Sequence, residues 1–340
     1  MSHEITDTDR AVFYKKSAWH KLGIVIEESM SPMDAARKFG LDFDILSRPI
    51  QTVPVPSIDG MPEVEPMTVP GRFAQVRSDN NVPLDIVSGR YETIQNMEVC
   101  DLAERIGQET GAKVESMFSI KGGREFCLLL QIGSWVLGKD DPSVAYAFLH
   151  TGHVGNIPLT LRSTRVRVVC DNTKRMAMAG SKAAFTFRHT RNVRNRIDLA
   201  VAEIQSLQDS IAQEKEIEST LAGIDIDFAW AKKLTREFSA LLVPADKKDD
   251  SKLAKKIRDG RRERAEGKIL ENFIGEVSQT EAAWETGYGL SEAMGQFVQH
   301  DRFIRGGDVD PTLRVRAALL DNTQEAMKEK ARELVLAVRG

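Results

Sequence analysis

The segment 162–196 holds ten basic side chains and one acidic one. Read as a strand, Leu159–Cys170 alternates its side chains between two faces. Arg165 and Arg167 then share one face with Leu159 and Leu161, and Arg162 points to the other. Two neighbouring guanidinium groups repel unless an anion lies between them, and a phosphate oxygen or a carboxylate fits that place. Asp171, Asn172 and Thr173 are capping types, so Lys174 and Arg175 open a short helix that Gly180 ends. A helix start beside arginines favours phosphate. Lys182, Phe185, Phe187 and Arg188 then interleave cations and rings on a second strand, Ala183–His189. Cations that track a backbone beside rings that stack on bases make a site for single-stranded nucleic acid. Arg191 extends the charge, and Arg194 and Arg196 carry it into the next helix. The candidate nucleic-acid-binding residues are therefore Arg162, Arg165, Arg167, Lys174, Arg175, Lys182, Phe185, Phe187, Arg188 and Arg191.

Two bland readings compete with this one. Residues 1–161 carry 15 basic and 22 acidic side chains, enough to pair the arginines within the chain or between copies. Phe185 and Phe187 could equally be core residues.

Other chemistry is thin. His150-x-x-His153 with Cys170 or His189 is the best metal arrangement, and a metal-dependent nuclease is kept as an alternative on it. Asp101, Glu104 and Glu125 have no nuclease spacing. Cys170 sits among arginines at a helix start, a setting that lowers a thiol pKa, with His189 the nearest base in sequence. No phosphate-binding GxxxxGK[ST] loop, GxGxxG, GxSxG or HExxH string is present. A binding protein with no cofactor and no metal is expected rather than an enzyme.

The elements that must carry these residues form an α+β chain. Ser31-Pro32 starts a helix that Gly40 stops. Prolines between 48 and 70 restrict that stretch to extended edge structure with a loop near Asp59-Gly60. Strands follow at Arg72–Arg77 and Leu84–Val87, and an amphipathic helix at Gln95–Gly107. Lys113–Ile120 and Glu125–Ile132 form a hairpin around Gly122-Gly123. Phe126–Leu130 is apolar on both faces, so that strand is covered on both sides. Val144–His150 and Leu159–Cys170 make a second hairpin. Beyond Asn192 the pattern is helical: a helix from Ile197 to Ile211, another from Asp225 to Leu242, and two more at 280–300 and 311–337. The expected organisation is a hairpin-rich mixed sheet core over 1–190 with a basic strand face. A helical region over 191–340 follows, with a charged linker at 246–268.

With 340 residues, 41% hydrophobic and 29% charged, the chain is an ordinary globular composition rather than a disordered one. Three scattered cysteines make no disulfide framework, the polar N-terminus is unlike a secretory signal, and no apolar run reaches membrane length. A cytoplasmic protein without membrane contact is expected.

Several strings resemble one family. Ala18-Trp19-His20-Lys21-Leu22-Gly23 is similar to its AWHGLG opening, with lysine at the fourth position. Val87-Ser88-Gly89-Arg90-Tyr91 with Ile94-Gln95-Asn96 resembles its V-S-x-R-Y…x-Q-N element. Arg165–Thr173 resembles its V-R-V-V-C-x-N-T element, and Arg188-His189-Thr190 the following x-H-T. The family they resemble is the phage/plasmid-like protein family, also called domain of unknown function 932. The resemblance implies a setting on phages, plasmids and other mobile elements but no reaction. Trp19 and Tyr91 are expected to anchor packing, and Asn172 and Thr173 to cap. The expected function is a nucleic-acid-binding protein of a phage or plasmid, holding single-stranded DNA or RNA or annealing strands in replication or recombination, as a homo-oligomer. The alternative without nucleic acid is an oligomeric assembly protein.

Overall fold

The computed structural model describes residues 3–54, 65–137, 141–179, 183–200, 204–244, 251–275, 282–301 and 322–339. The chain is α+β and divides into two compact units: Met1–Gly133 with Ala145–Asp209, and Ser134–Val144 with Ser210–Gly340.

The first unit contains two sheets. The strands are β1 (Ala11–Tyr14), β2 (Ile24–Ile26), β3 (Ile45–Gln51), β4 (Thr68–Arg77), β5 (Pro83–Ser88), β6 (Lys113–Ile120), β7 (Glu125–Leu137), β8 (Asp141–Gly152), β9 (Leu159–Thr164) and β10 (Ala183–Phe187). The larger sheet has the order β10-β9-β8-β7-β6-β1-β2, and the smaller β3-β4-β5. The expected glycine turn joins β6 to β7: Lys121, Gly122 and Gly123 all have positive φ. Phe126–Leu130 is buried throughout, as a run apolar on both faces requires. Pro49 lies on edge strand β3. Pro70 falls in central strand β4 beside the register shift between Pro49 and Gln51, where a missing N–H is tolerated.

One buried arginine joins the two sheets. Arg77 of β4 donates to Gly122 O in the β6–β7 turn (3.1 Å) and to Thr8 O (2.9 Å), and its guanidinium lies 3.9 Å above the Phe43 ring. Asp9 accepts from the Gly122 and Gly123 amides at 2.9 and 2.8 Å and closes the same turn. Helix α1 (Pro32–Lys38) has the expected Ser31 cap, and α2 (Asn96–Thr110) starts with a Gln95–Glu98 capping box. Helices α3 (Asp171–Ala179) and α4 (Val193–Ala200) flank β10 in sequence.

The second unit holds Ser134–Val144, α5 (Ile204–Ala222) from Ser210 onward, and helices α6 (Phe228–Leu242), α7 (Lys252–Ile274), α8 (Gly287–Gln296) and α9 (Asn322–Leu336), with a π-helical turn after α8. Trp135 donates to Glu218 of α5 (2.9 Å), and Arg332 of α9 donates to Glu214 (2.8 Å). Leu221, Phe238, Ile269, Leu290, Met294 and Val335 are buried in this unit.

Four expectations change. β9 stops at Thr164 instead of reaching Cys170, and β10 stops at Phe187. The charged stretch expected as a linker at 246–268 is from Lys252 onward a continuous helix running to Ile274, capped by Ser251 accepting from Ala254 N–H. The first unit runs to Asp209 rather than 190, because α4 packs on β10 with Val193 and Ile197 buried. Strands β1 and β2, before Ser31, have no counterpart in the sequence reading.

Candidate nucleic-acid interface

The end of β9 decides the fate of the basic segment. Past Thr164 the backbone bends, so Arg165 and Arg167 are not neighbours on a strand face. Arg167 turns inward: its Nε donates to Glu115 of β6, and its Nη2 to Lys16 O at 2.5 Å. Arg165 stays exposed. Thr173 stabilises the bend as a cap, its Oγ1 accepting from the Val169 and Cys170 amides at 2.9 and 3.1 Å. Cys170 is buried, 3.5 Å from the Thr173 hydroxyl.

Lys174 is the second inward cation. It is buried between Glu125 and Asp171, 2.8 Å from Asp171 Oδ1, and Lys121 and Arg175 complete the ring of charges around those carboxylates. His150 donates its Nε2–H to Glu125 at 2.7 Å. Burial pushes the Glu125 carboxyl up, but His150, Lys174 and Lys121 outweigh it and hold it far below the usual range. Asp171 is balanced the same way, burial against Lys174, Lys121 and Arg175, and is also held low. Removing one partner of such a buried set costs roughly 3–5 kcal/mol, so these charges serve the fold.

His150 and His153 have different partners. His153 is wholly buried and its Nε2 lies 2.9 Å from Asn96 Oδ1; Asn96 in turn donates to Leu41 O (2.9 Å). Asn96 must therefore accept at Oδ1, and His153 is the neutral Nε2–H tautomer. Its ring is pushed down to about 3, chiefly by burial. Among the described residues no group of three His, Cys, Asp or Glu side chains is placed to hold a metal. His189 stacks on Tyr91 (4.8 Å, 8° between planes), and Tyr91 donates to Gly152 O (3.0 Å). Tyr91 thus anchors packing as expected. Trp19 does not: it is 60% exposed.

A smaller set remains at the surface. Phe185 and Phe187 project from the same face of the terminal strand β10 and stack at 4.7 Å, 12° from parallel. Phe185 is buried and Phe187 is half-buried. Arg196, in the first turn of α4, lays its guanidinium 4.6 Å from the Phe187 ring centre. Arg188 and Arg191 are exposed in the turn between them. Arg162 is half-buried and donates to Met178 O at 3.4 Å, and Arg175 is bound to Asp171. Arg194 is tied to Glu92 and Glu98. Lys182 lies outside the described residues. Of the ten predicted residues, Phe185 and Phe187 stack together and Arg188 and Arg191 lie exposed in the turn that follows them, while Arg167 and Lys174 turn away. Arg196 completes the group; its charge was visible in the sequence but not its place over a ring nine positions earlier.

Residues 83–321 match the family described as Domain of unknown function (DUF932). The chain belongs to that family. The match covers the β9–α3–β10–α4 region and most of the helical unit of this DUF932 protein, and begins after β1 and β2. No curated protein and no solved structure matches it. No helix among the described residues is long and apolar enough to cross a membrane.

Proposed function

We propose that this DUF932 protein binds single-stranded nucleic acid at β10 and the start of α4, as a component of a phage or plasmid. The observation that carries the reading is the Phe185–Phe187 stack with Arg196 over its outer ring, flanked by exposed Arg188 and Arg191. A half-exposed ring offers a flat surface to bases, and Arg196 with the flanking arginines offers charge to phosphates. Surfaces of this kind tolerate any sequence, because every base has a π-face. A role in holding strands apart or bringing them together for replication or recombination is consistent with that tolerance.

The test is fluorescence anisotropy with a labelled oligothymidylate at low salt. Phe187→Ala and Arg196→Ala should each weaken binding by about 1–3 kcal/mol, the worth of one stacked base. Wild-type affinity in both variants would reject β10 as the binding surface.

A further inference from the structure

We propose that the chain forms a two-fold dimer in which β2 pairs antiparallel with β2 of a second copy. The proposal does not rest on the nucleic-acid reading.

β2 is the last strand at its end of the larger sheet, and no other described strand lies outside it. Its surroundings are unusually apolar for an open edge. Trp19 is 60% exposed, Leu22 39%, Ile24 50% and Val25 37%. An exposed apolar edge is a template for another strand, and proteins that stay monomeric blunt it with charge, proline or a covering loop. Here the segment is held in place instead. Gly23 has φ +91°, and a Cβ there would lie 2.7 Å from Ala11 O and 2.8 Å from the Phe13 ring. Only glycine lets the chain come this close to β1. His20 pins the approach, its Nδ1 accepting from Leu22 N–H and its Nε2 donating to Val169 O, both at 3.1 Å.

The backbone says which residue is offered. β1 and β2 are parallel, and Lys15 N–H donates to Ile26 O at 2.8 Å. Bonding residues alternate along a strand, so Ile24 and Ile26 face β1, and the N–H and C=O of Val25 face outward. One residue presenting both groups outward is self-complementary across a two-fold axis. Val25 N–H of each copy donates to Val25 O of the other. Ile24 then lies opposite Ile26 of the second copy, and the apolar side chains cover one another.

Charge selects a second copy over the far sheet edge. Lys21 precedes the strand and Glu27 and Glu28 follow it, all exposed. Antiparallel doubling brings each lysine end against an acidic end. Antiparallel pairing with β10 would instead bring Lys21 towards Arg188. Two-fold dimers are also the commonest closed assembly.

The experiment uses the full chain, nuclease-treated, at micromolar concentration. Sedimentation equilibrium should give twice the 37.9 kDa chain mass. Val25→Pro removes the outward N–H and should halve that mass, with circular dichroism unchanged. Val25→Cys supplies an independent readout. An antiparallel hydrogen-bonded pair sets its Cα atoms about 5.5 Å apart, within disulfide range. The native Cys100, Cys127 and Cys170 are all buried, so the introduced thiol is the exposed one. Mild oxidation should yield a covalent dimer from Val25→Cys and none from Ile86→Cys, a strand position more exposed than Val25. A monomeric wild type, a dimer that survives Val25→Pro, or equal cross-linking of the two cysteine variants would each overturn the proposal. If Val25→Pro does not fold, the cross-linking comparison decides alone.

Discussion

Four histidines, His20, His150, His153 and His189, are held below their usual pKa, in each case chiefly by burial. The consequence for stability has a definite sign. An unfolded histidine takes up a proton near pH 6.5, whereas folded His153 does so only at about 3. Between those limits the unfolded state binds the extra proton, and stability falls as pH falls, by up to about 1.4 kcal/mol per pH unit per such group. The low-lying carboxylates Glu125 and Asp171 add their losses only below about pH 5, where unfolded carboxylates begin to protonate. The window from pH 6.5 to 5 therefore isolates the histidines. Urea midpoints across it should show His153→Gln losing less stability than wild type, by about one proton's worth of slope. Equal slopes would mean that His153 takes up its proton in the fold as readily as in the unfolded chain.

At the scale of elements, α7 is the sharpest difference from expectation. Gly260 and Gly267 suggest interruption, yet the helix runs through both, and a Cβ at either would meet nothing within 4 Å. Each glycine only weakens the helix, so Gly260→Ala and Gly267→Ala should each stabilise it by roughly 0.5–1 kcal/mol. Raised melting temperatures would confirm this; a lowered one would mean that a kink at the glycine is required. The elements with strong local signals were readable from sequence: the Ser31-Pro32 helix start, the Gly122-Gly123 turn, and the doubly covered β7. β1 and β2 were missed because three or four apolar residues without alternation resemble any loop. The end of β9 was missed for another reason. Val166, Val168 and Arg167 keep a strand's alternation, and what bends the chain is the Thr173 cap and the pull of Glu115 on Arg167, contacts made across distant sequence. The Glu115 contact drew Arg167 out of the predicted site, and Glu125 with Asp171 drew out Lys174.

For the whole molecule, charge sets the limit on what binding can look like. The net charge is −3, and residues 1–161 alone carry 15 basic against 22 acidic side chains. Attraction for a polyanion must therefore be local, and much of the local charge is already paired to Glu92, Glu98, Glu115, Glu125 and Asp171. If Arg188, Arg191 and Arg196 are the phosphate contacts, three neutralised phosphates on a single strand give a slope of log K against log salt of about −2. Arg188→Ala with Arg191→Ala should flatten it to about −0.7. Anisotropy titrations over a salt series measure both. A wild-type slope near −2 that the double variant leaves unchanged would remove these arginines from the interface. A slope steeper than about −5 would require a second basic surface, and α7, with Lys252, Lys255, Lys256 and Arg264 exposed, is where alanine substitutions should then be made.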